Sequence, residues 1–231
     1  MAVAVAPGKV ILFGEHAVVY GQPAIAVPVT EVQAQALVEQ GALGQGTVVV
    51  ASDLNRRIVV REAAGDDPLA GIVRLTLARI GQGRDPDLTI TVNSTVPMAR
   101  GMGSGAAVST AIVRALAQHF QHWIPSRAVS DLVYETEIFY HGTPSGIDNT
   151  VIAFEKPIFF VKEVGWELFW VGQPFLLAIG DTGIESPTRE VVEDLRQRLD
   201  ADPQRYRPLL ERVGKIASAA RAAIEEGQIA R

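Results

Sequence analysis

"VPMARGMGSGAAVSTAIVRAL", Val96 to Leu116, is the stretch on which the reading of this chain turns. Gly101, Gly103 and Gly105 stand at alternate positions, and then Ala107, Val108, Ala111, Ile112, Ala115 and Leu116 recur at helical spacing. A glycine-rich loop therefore opens onto a helix running to about His119. Ordering glycine costs more backbone entropy than ordering any other residue, so something must come close to that loop. It is either an anion held by the N–H groups of the helix start or a neighbouring strand packed too tightly for a Cβ. The loop alone leaves both open. It is not a Walker A motif, because no lysine follows the glycines. The dinucleotide pattern Gly101-x-Gly103-x-x-Ala106 is matched only loosely: "NSTVPMAR" separates it from its strand, and no carboxylate lies about 20 residues on to hold a ribose.

Upstream of the loop the chain reads as strands: Val3–Val5, Val10–Phe13, Ala24–Val27, Val32–Glu39, Thr47–Ala51 and Leu88–Val92, with a short helix over Arg74–Gly81. Downstream, Ser126–Gly142 reads as a second helix, "GTPSGIDN" as a tight loop, and "TVIAF", "PIFFV" and "PFLLAIG" as strands. Ser186-Pro187 is a helix opening leading into "TREVVEDLRQRL", and "LLERVGKIASAARAAIEEG" forms a last helix. A composition shift at Trp166–Gln173 marks the expected division into domains 1–165 and 166–231.

The bulk properties exclude several functions. With 231 residues, 48% of them apolar, the chain can bury a core, and its net charge of −5 without any Lys/Arg block argues against nucleic-acid binding. There is no cysteine, which removes disulfides, thiolate metal sites and a Cys nucleophile and suits a cytoplasmic location. No run of about 20 apolar residues suggests a membrane span, and "MAVAVAPGKVILFG" lacks the basic start of a secretory signal.

Two more constellations stand out. "APGKVILFGEHAVVYGQPAIAV" places Lys9 between strand-like pieces and Glu15-His16 at the next turn, and "YETEIFYHGTPSGIDN" places Glu137 late on a helix and Asp148 in the turn after it. Together with the glycine loop, these stretches resemble the three ordered signatures of the GHMP kinases. The first resembles that superfamily's "PGK(V/L)xLxGEHxVxxG" opening, the second its phosphate loop P-x-x-x-G-L-G-S-S-A, and the third, "HGTPSGIDN", the form typical of its mevalonate kinases.

The resemblance implies an α+β fold: a ribosomal S5 domain 2-like N-terminal domain followed by a partial ferredoxin-like C-terminal domain. It implies transfer of the γ-phosphoryl group of ATP to the 5-hydroxyl of mevalonate, with Mg2+, in isoprenoid precursor synthesis. By position, Asp148 matches the base and Lys9 the cation beside the developing alkoxide, so the two would pair and favour each other's charged form. Glu137 and Ser104 match magnesium ligands, which suits an ion that takes few protein ligands and bridges to phosphates. Glu135 lies about 200° round the helix from Glu137 and is read as solvated. Pro97, Arg100, Gly101, Met102, Gly103, Ser104, Gly105 and Ala106 match the nucleotide loop, and Glu15, His16 and Thr188 fall where the substrate is met. The implied partners are MgATP and mevalonate, with a homodimer also implied by the family. The alternatives are another GHMP small-molecule kinase, such as one acting on phosphomevalonate, and an inactive nucleotide-binding fragment.

Two departures from the pattern stand out. The loop reads Gly103-Ser104-Gly105-Ala106 where the family has Gly-Ser-Ser-Ala, so one hydroxyl is lost. The family's third glycine-rich motif, G-A-G-x-G-G, does not occur, so the expectation is a chain truncated at its C-terminal side.

Overall fold

The computed structural model describes residues 1–83, 85–141, 144–183 and 188–228, leaving aside the side chains of 139–141 and 188–190. Its strands are β1 (Ala2–Phe13), β2 (Ala24–Gln40), β3 (Thr47–Ala51), β4 (Arg56–Val59), β5 (Leu88–Ser94), β6 (Ile158–Val161) and β7 (Gly165–Leu168). Its helices are α1 (Pro68–Arg79), α2 (Ser104–His119), α3 (Ser126–His141), α4 (Ile147–Phe154), α5 (Thr188–Ala201) and α6 (Pro203–Glu225). The strands form one sheet in the order β4-β3-β5-β2-β6-β7, with β1 on the other edge of β2.

The sheet is organised around β2. Most of its length pairs antiparallel with β1, from Ala2↔Val38 to Phe13↔Ile25, while its opposite edge serves β5 at Ala34–Gln40 and β6 at Ala24–Ala26. Val3–Val5 and Val10–Phe13, expected as separate strands, are one strand with a register shift between Pro7 and Gly8. Likewise Ala24–Val27 and Val32–Glu39 are continuous. The interrupting prolines and glycine sit where the pairing is irregular, which a ladder tolerates.

Helix α2 lies against the centre of the sheet, touching β1 and β2. Ala106, Ala107, Ala111 and Ala115 on the helix and Ala6, Ala34 and Ala36 on the strands are all at most 1% exposed. Small side chains on both surfaces let helix and sheet approach closely. Around them Ile72, Ile90, Ile112, Leu116, Ile147 and Ile152 complete a core that unites α1, α2, α4 and the sheet.

Several expected elements differ. Helix α1 begins earlier, at Pro68, because Asp67 caps it by accepting from the Ala70 N–H at 3.0 Å. "TVIAF" is not a strand but the body of α4. Short apolar runs do not distinguish a buried strand from a buried helix, and here Ile147, Val151 and Ile152 face the core at helical spacing while Thr150 bonds back to the Gly146 carbonyl at 2.6 Å. "PFLLAIG" forms no strand: no described strand pairs with it, and Leu176 is fully exposed. The Ser186-Pro187 opening lies outside the described residues; α5 is described from Thr188. Helix α6 starts at Pro203 rather than Leu209, capped by the Asp202 carboxylate. It reaches the sheet side through Gly214, where a Cβ would lie 2.3 Å from Gln22 Oε1.

Candidate active site

Strand β1 carries Lys9 into the interior, where the residue is 3% exposed. A buried ammonium needs a partner, and Asp148 supplies it: Nζ stands 2.8 Å from Oδ1. Asp148 is not in a turn, as expected, but in the first turn of α4, whose N-cap is Gly146. Its carboxylate keeps 31% of its surface, so one end of the pair is open to a reactant.

The same stretch of β1 fixes the glycine loop, for the Lys9 N–H donates to the Met102 carbonyl at 3.1 Å. The three glycines then separate by cause. Gly103, the N-cap of α2, has φ 71°, and a Cβ there would lie 2.9 Å from Ile152 Cδ1 and 3.0 Å from Lys9 Cγ. At Gly103 close packing is real. A Cβ on Gly101 would meet nothing within 4 Å, and one on Gly105 would meet only Glu137 Oε1, at 3.5 Å. Helix α2 has no side-chain cap and no acidic residue in its first turn, which leaves its N-terminal N–H groups and positive dipole end available to an anion.

Glu137 comes from α3 and is half-buried, whereas Glu135 is exposed, as their angular separation requires. Burial pushes the Glu137 carboxyl up to about 7, the Asp148 charge adds to the rise, and Lys9 opposes it. The relative position of Glu137 and Asp148 is held from behind. Asn149 Nδ2 donates to the carbonyl and Oγ of Ser130 at 3.1 and 2.9 Å, tying α4 to α3.

Two cavities meet at Glu137. One, of about 420 Å³, is lined by Lys9, Glu15, His16, Gly101, Glu137 and Asp148 among others. The second, of about 510 Å³, is lined by Pro97, Ser104, Gly105 and Glu137, with Leu54, Leu69, Val92 and Met98 giving it an apolar wall. The loop residues thus distribute between two chambers. Met102 offers its carbonyl to Lys9, and Ala106, 1% exposed, offers only backbone. Arg100 is drawn aside to Asp181 at 2.7 Å, and this contact, after the Gly183 N–H, holds the Asp181 carboxyl below its usual range. His16 has φ 61°, an uncommon conformation for a non-glycine residue, and its Nδ1 is buried without a hydrogen bond, 3.8 Å from Glu15 Oε1. The Thr188 side chain lies outside the described residues.

Sequence reasoning passed over Asp53, Leu54, Arg56 and Leu69 in the second cavity and Val192, Glu193 and Arg196 in the first. None belongs to a motif. Only the amphipathic spacing of Val191, Val192, Leu195 and Leu199 hinted that one face of α5 turns inward.

Residues 68–156 match the family described as GHMP kinases N terminal domain. Over 96% of its length the chain is 30% identical to the mevalonate kinase of Pyrococcus furiosus, covering 70% of that protein, and over 98% it is 32% identical to that of Aeropyrum pernix, covering 71%. The chain belongs to the GHMP kinases, among the mevalonate kinases. The fold agrees: the crystal structure of L. major mevalonate kinase in complex with R-mevalonate superposes with a TM-score of 0.74 at 25% identity, covering 99% of this chain and 71% of that one.

Proposed function

We propose that this chain transfers the γ-phosphoryl group of ATP to the 5-hydroxyl of mevalonate. Family membership supports the reaction class. The observation that carries the reading is the Lys9–Asp148 pair at 2.8 Å, set in one cavity and separated by Glu137 from another that ends at the α2 N-terminus.

In this reading the second cavity takes the nucleotide, its base against Leu54, Leu69 and Met98 and its phosphates at Ser104 and the first turn of α2. Asp148 accepts the hydroxyl proton as the oxygen–phosphorus bond forms, and the bond to the β-phosphate oxygen breaks to release ADP. Lys9 stands where charge develops on the attacking oxygen. Phosphoryl transfer asks mainly for such positioning and charge neutralisation. The donors present fit Mg2+. Glu137 is a carboxyl whose charged form is disfavoured by burial and by the Asp148 charge, and it shares its cavity with Ser104; two hard oxygens plus phosphates suit that ion. Glu137 and Ser104 would hold it, and bound there it would neutralise phosphate charge. The loop residues Pro97 to Ala106 as nucleotide contacts, Glu15, His16 and Thr188 towards substrate, the division at residues 165/166, a homodimer and a cytoplasmic location belong to the same proposal. Among the described residues no helix is long and apolar enough to cross a membrane.

The test is ADP release with MgATP and, separately, mevalonate, phosphomevalonate, homoserine and galactose. Turnover with mevalonate above the other three is the expected result. A preference for any other acceptor, or ATP binding with no turnover at all, overturns the reading.

A further inference from the structure

We propose that Arg196 receives the carboxylate of the acceptor substrate and so decides which end of the molecule meets the Lys9–Asp148 pair. This rests on the acceptor being the hydroxy acid proposed above.

The argument begins with charge. Glu15, Glu137, Asp148 and Glu193 all line the first cavity, so an anionic substrate enters a field of carboxyl groups and needs a cation to remain there. The basic residues lining it among those described are Lys9, His16 and Arg196. Lys9 is engaged by Asp148 at 2.8 Å and faces the reacting end. Arg196 is engaged more loosely, by Glu193 and by the Tyr20 hydroxyl. Its neighbour Glu193, one turn back on α5, stands 4.0 Å away, at the outer limit of an ion pair, and both side chains are about half exposed. On the same helix Arg198, by contrast, is held by Asp194 at 2.8 Å.

Its surroundings are also incompletely satisfied. His16 Nδ1 is buried with no hydrogen bond among the described residues, and the Tyr20 hydroxyl, also buried, has the Arg196 guanidinium as its neighbour. Burial holds the Tyr20 phenol above its usual range, while the charge of Arg196 and a hydrogen bond from its guanidinium act in opposition. A buried polar atom without a partner in a native structure calls for an explanation. A two-oxygen anion in this cavity answers it, because the guanidinium fork of Arg196 matches carboxylate geometry in two parallel bonds and its pairing with Glu193 stands at the 4.0 Å limit. The same arrangement discriminates. A neutral polyol or sugar would leave Arg196 without its counter-charge and gain nothing against the four acids.

The test compares the parent, Arg196→Gln, Arg196→Lys and Glu193→Gln with mevalonate and its uncharged methyl ester. Arg196→Gln should raise KM for the acid by about 10- to 100-fold with kcat within about threefold, as expected for a charged hydrogen bond made equally in ground and transition states. Its KM for the ester should equal the parent's. Arg196→Lys should recover part of the loss, and Glu193→Gln, which removes the competing acid, should lower KM for the acid. An unchanged KM for the acid, or equal rises for acid and ester, overturns the proposal; the second result would mean that Arg196 merely supports α5. Should Arg196→Gln not fold, the opposite KM shifts of Arg196→Lys and Glu193→Gln carry the test. If the parent itself releases no ADP, the function above has failed, and calorimetric binding of mevalonate decides Arg196. Weaker binding by the variant upholds it, and equal binding, or none by the parent, ends it.

Discussion

Between Ala2 and Val161 the inward side chains are covered on every side: Ile25, Ile72, Ile90, Ile112, Leu116 and Ile158 are entirely buried. From Phe169 onward the buried apolar cluster shrinks to Phe169 and Ile224 against Ile25, while Trp170 is 81% exposed and Leu177 and Ile179 about half. Lys9, Ser104, Glu137 and Asp148 all lie in the first region, and Arg196 lies in the second. Groups that must hold position during bond making stand on close-packed elements, where a displacement costs contacts in several directions. The group proposed to select the substrate stands on a helix with few such constraints. Substitutions that disturb packing or the buried ion pair in the first region should therefore lower kcat and stability together, and those in the second should leave both nearly alone.

The largest break is expected from Asp148→Asn. Turnover should fall by about 10³-fold or more, while ATP affinity stays within a few-fold, read by single-turnover kinetics and equilibrium titration. Stability should fall as well, because the amide oxygen still accepts from Lys9 but no longer neutralises its buried charge. Asp148→Leu, which leaves that ammonium buried and unpaired, should cost about 3 to 5 kcal/mol in urea unfolding. Next comes Gly103→Ala. The positive φ and the contacts to Ile152 and Lys9 should cost about 1 to 3 kcal/mol and lower kcat by displacing the lysine. A variant as stable and active as the parent would break the link between packing and chemistry.

Glu137→Gln sharpens the comparison through pH. In the folded parent the carboxyl titrates near 7 rather than at its ordinary 4.5. The native state therefore holds more proton than the unfolded chain between those values, and parent stability falls as pH rises through that window. Without magnesium, Glu137→Gln should match the parent at pH 4 and exceed it at pH 8 by about 2 to 3 kcal/mol at most, measured by urea unfolding at both. A pH-independent difference would contradict the raised titration.

Gly105→Ser should do less. The space before Glu137 Oε1 accommodates a Cβ at 3.5 Å, and serine suits a helix better than glycine by about 0.5 kcal/mol. A small rise in Tm and a few-fold tighter apparent magnesium constant are expected in thermal melts and metal titrations. The smallest effect is Trp170→Ser. With so little of that ring buried, stability should shift by about 0.5 kcal/mol or less, and a larger drop would show that the outer tract is better packed than it stands here.

Much of this was legible because motif and geometry coincide. Lys9 and Asp148 could be matched from the order of three signatures, and the inward face of α3 followed from helical angles alone. The local conformation of "TVIAF" was not legible, since its β-branched residues favour strand and only packing on α2 and α3 makes it helix. Nor could sequence say that the three glycines serve different ends, because that depends on Ile152 and Glu137, both remote in the chain. Arg196 belongs to no motif and reaches the cavity only through the placement of α5.

The buried Lys9–Asp148 contact also sets an order of assembly. Its partners lie about 140 residues apart in the chain, so a growing polypeptide presents the lysine long before the aspartate has been made. Until α4 arrives, seating Lys9 beneath α2 would strand an unpaired ammonium away from water. The first strand must therefore wait, loosely placed, for one of the last pieces of the sheet body, and such distant closures are the slow steps of folding. Catalytic competence and completion of the sheet should thus emerge in the same late event.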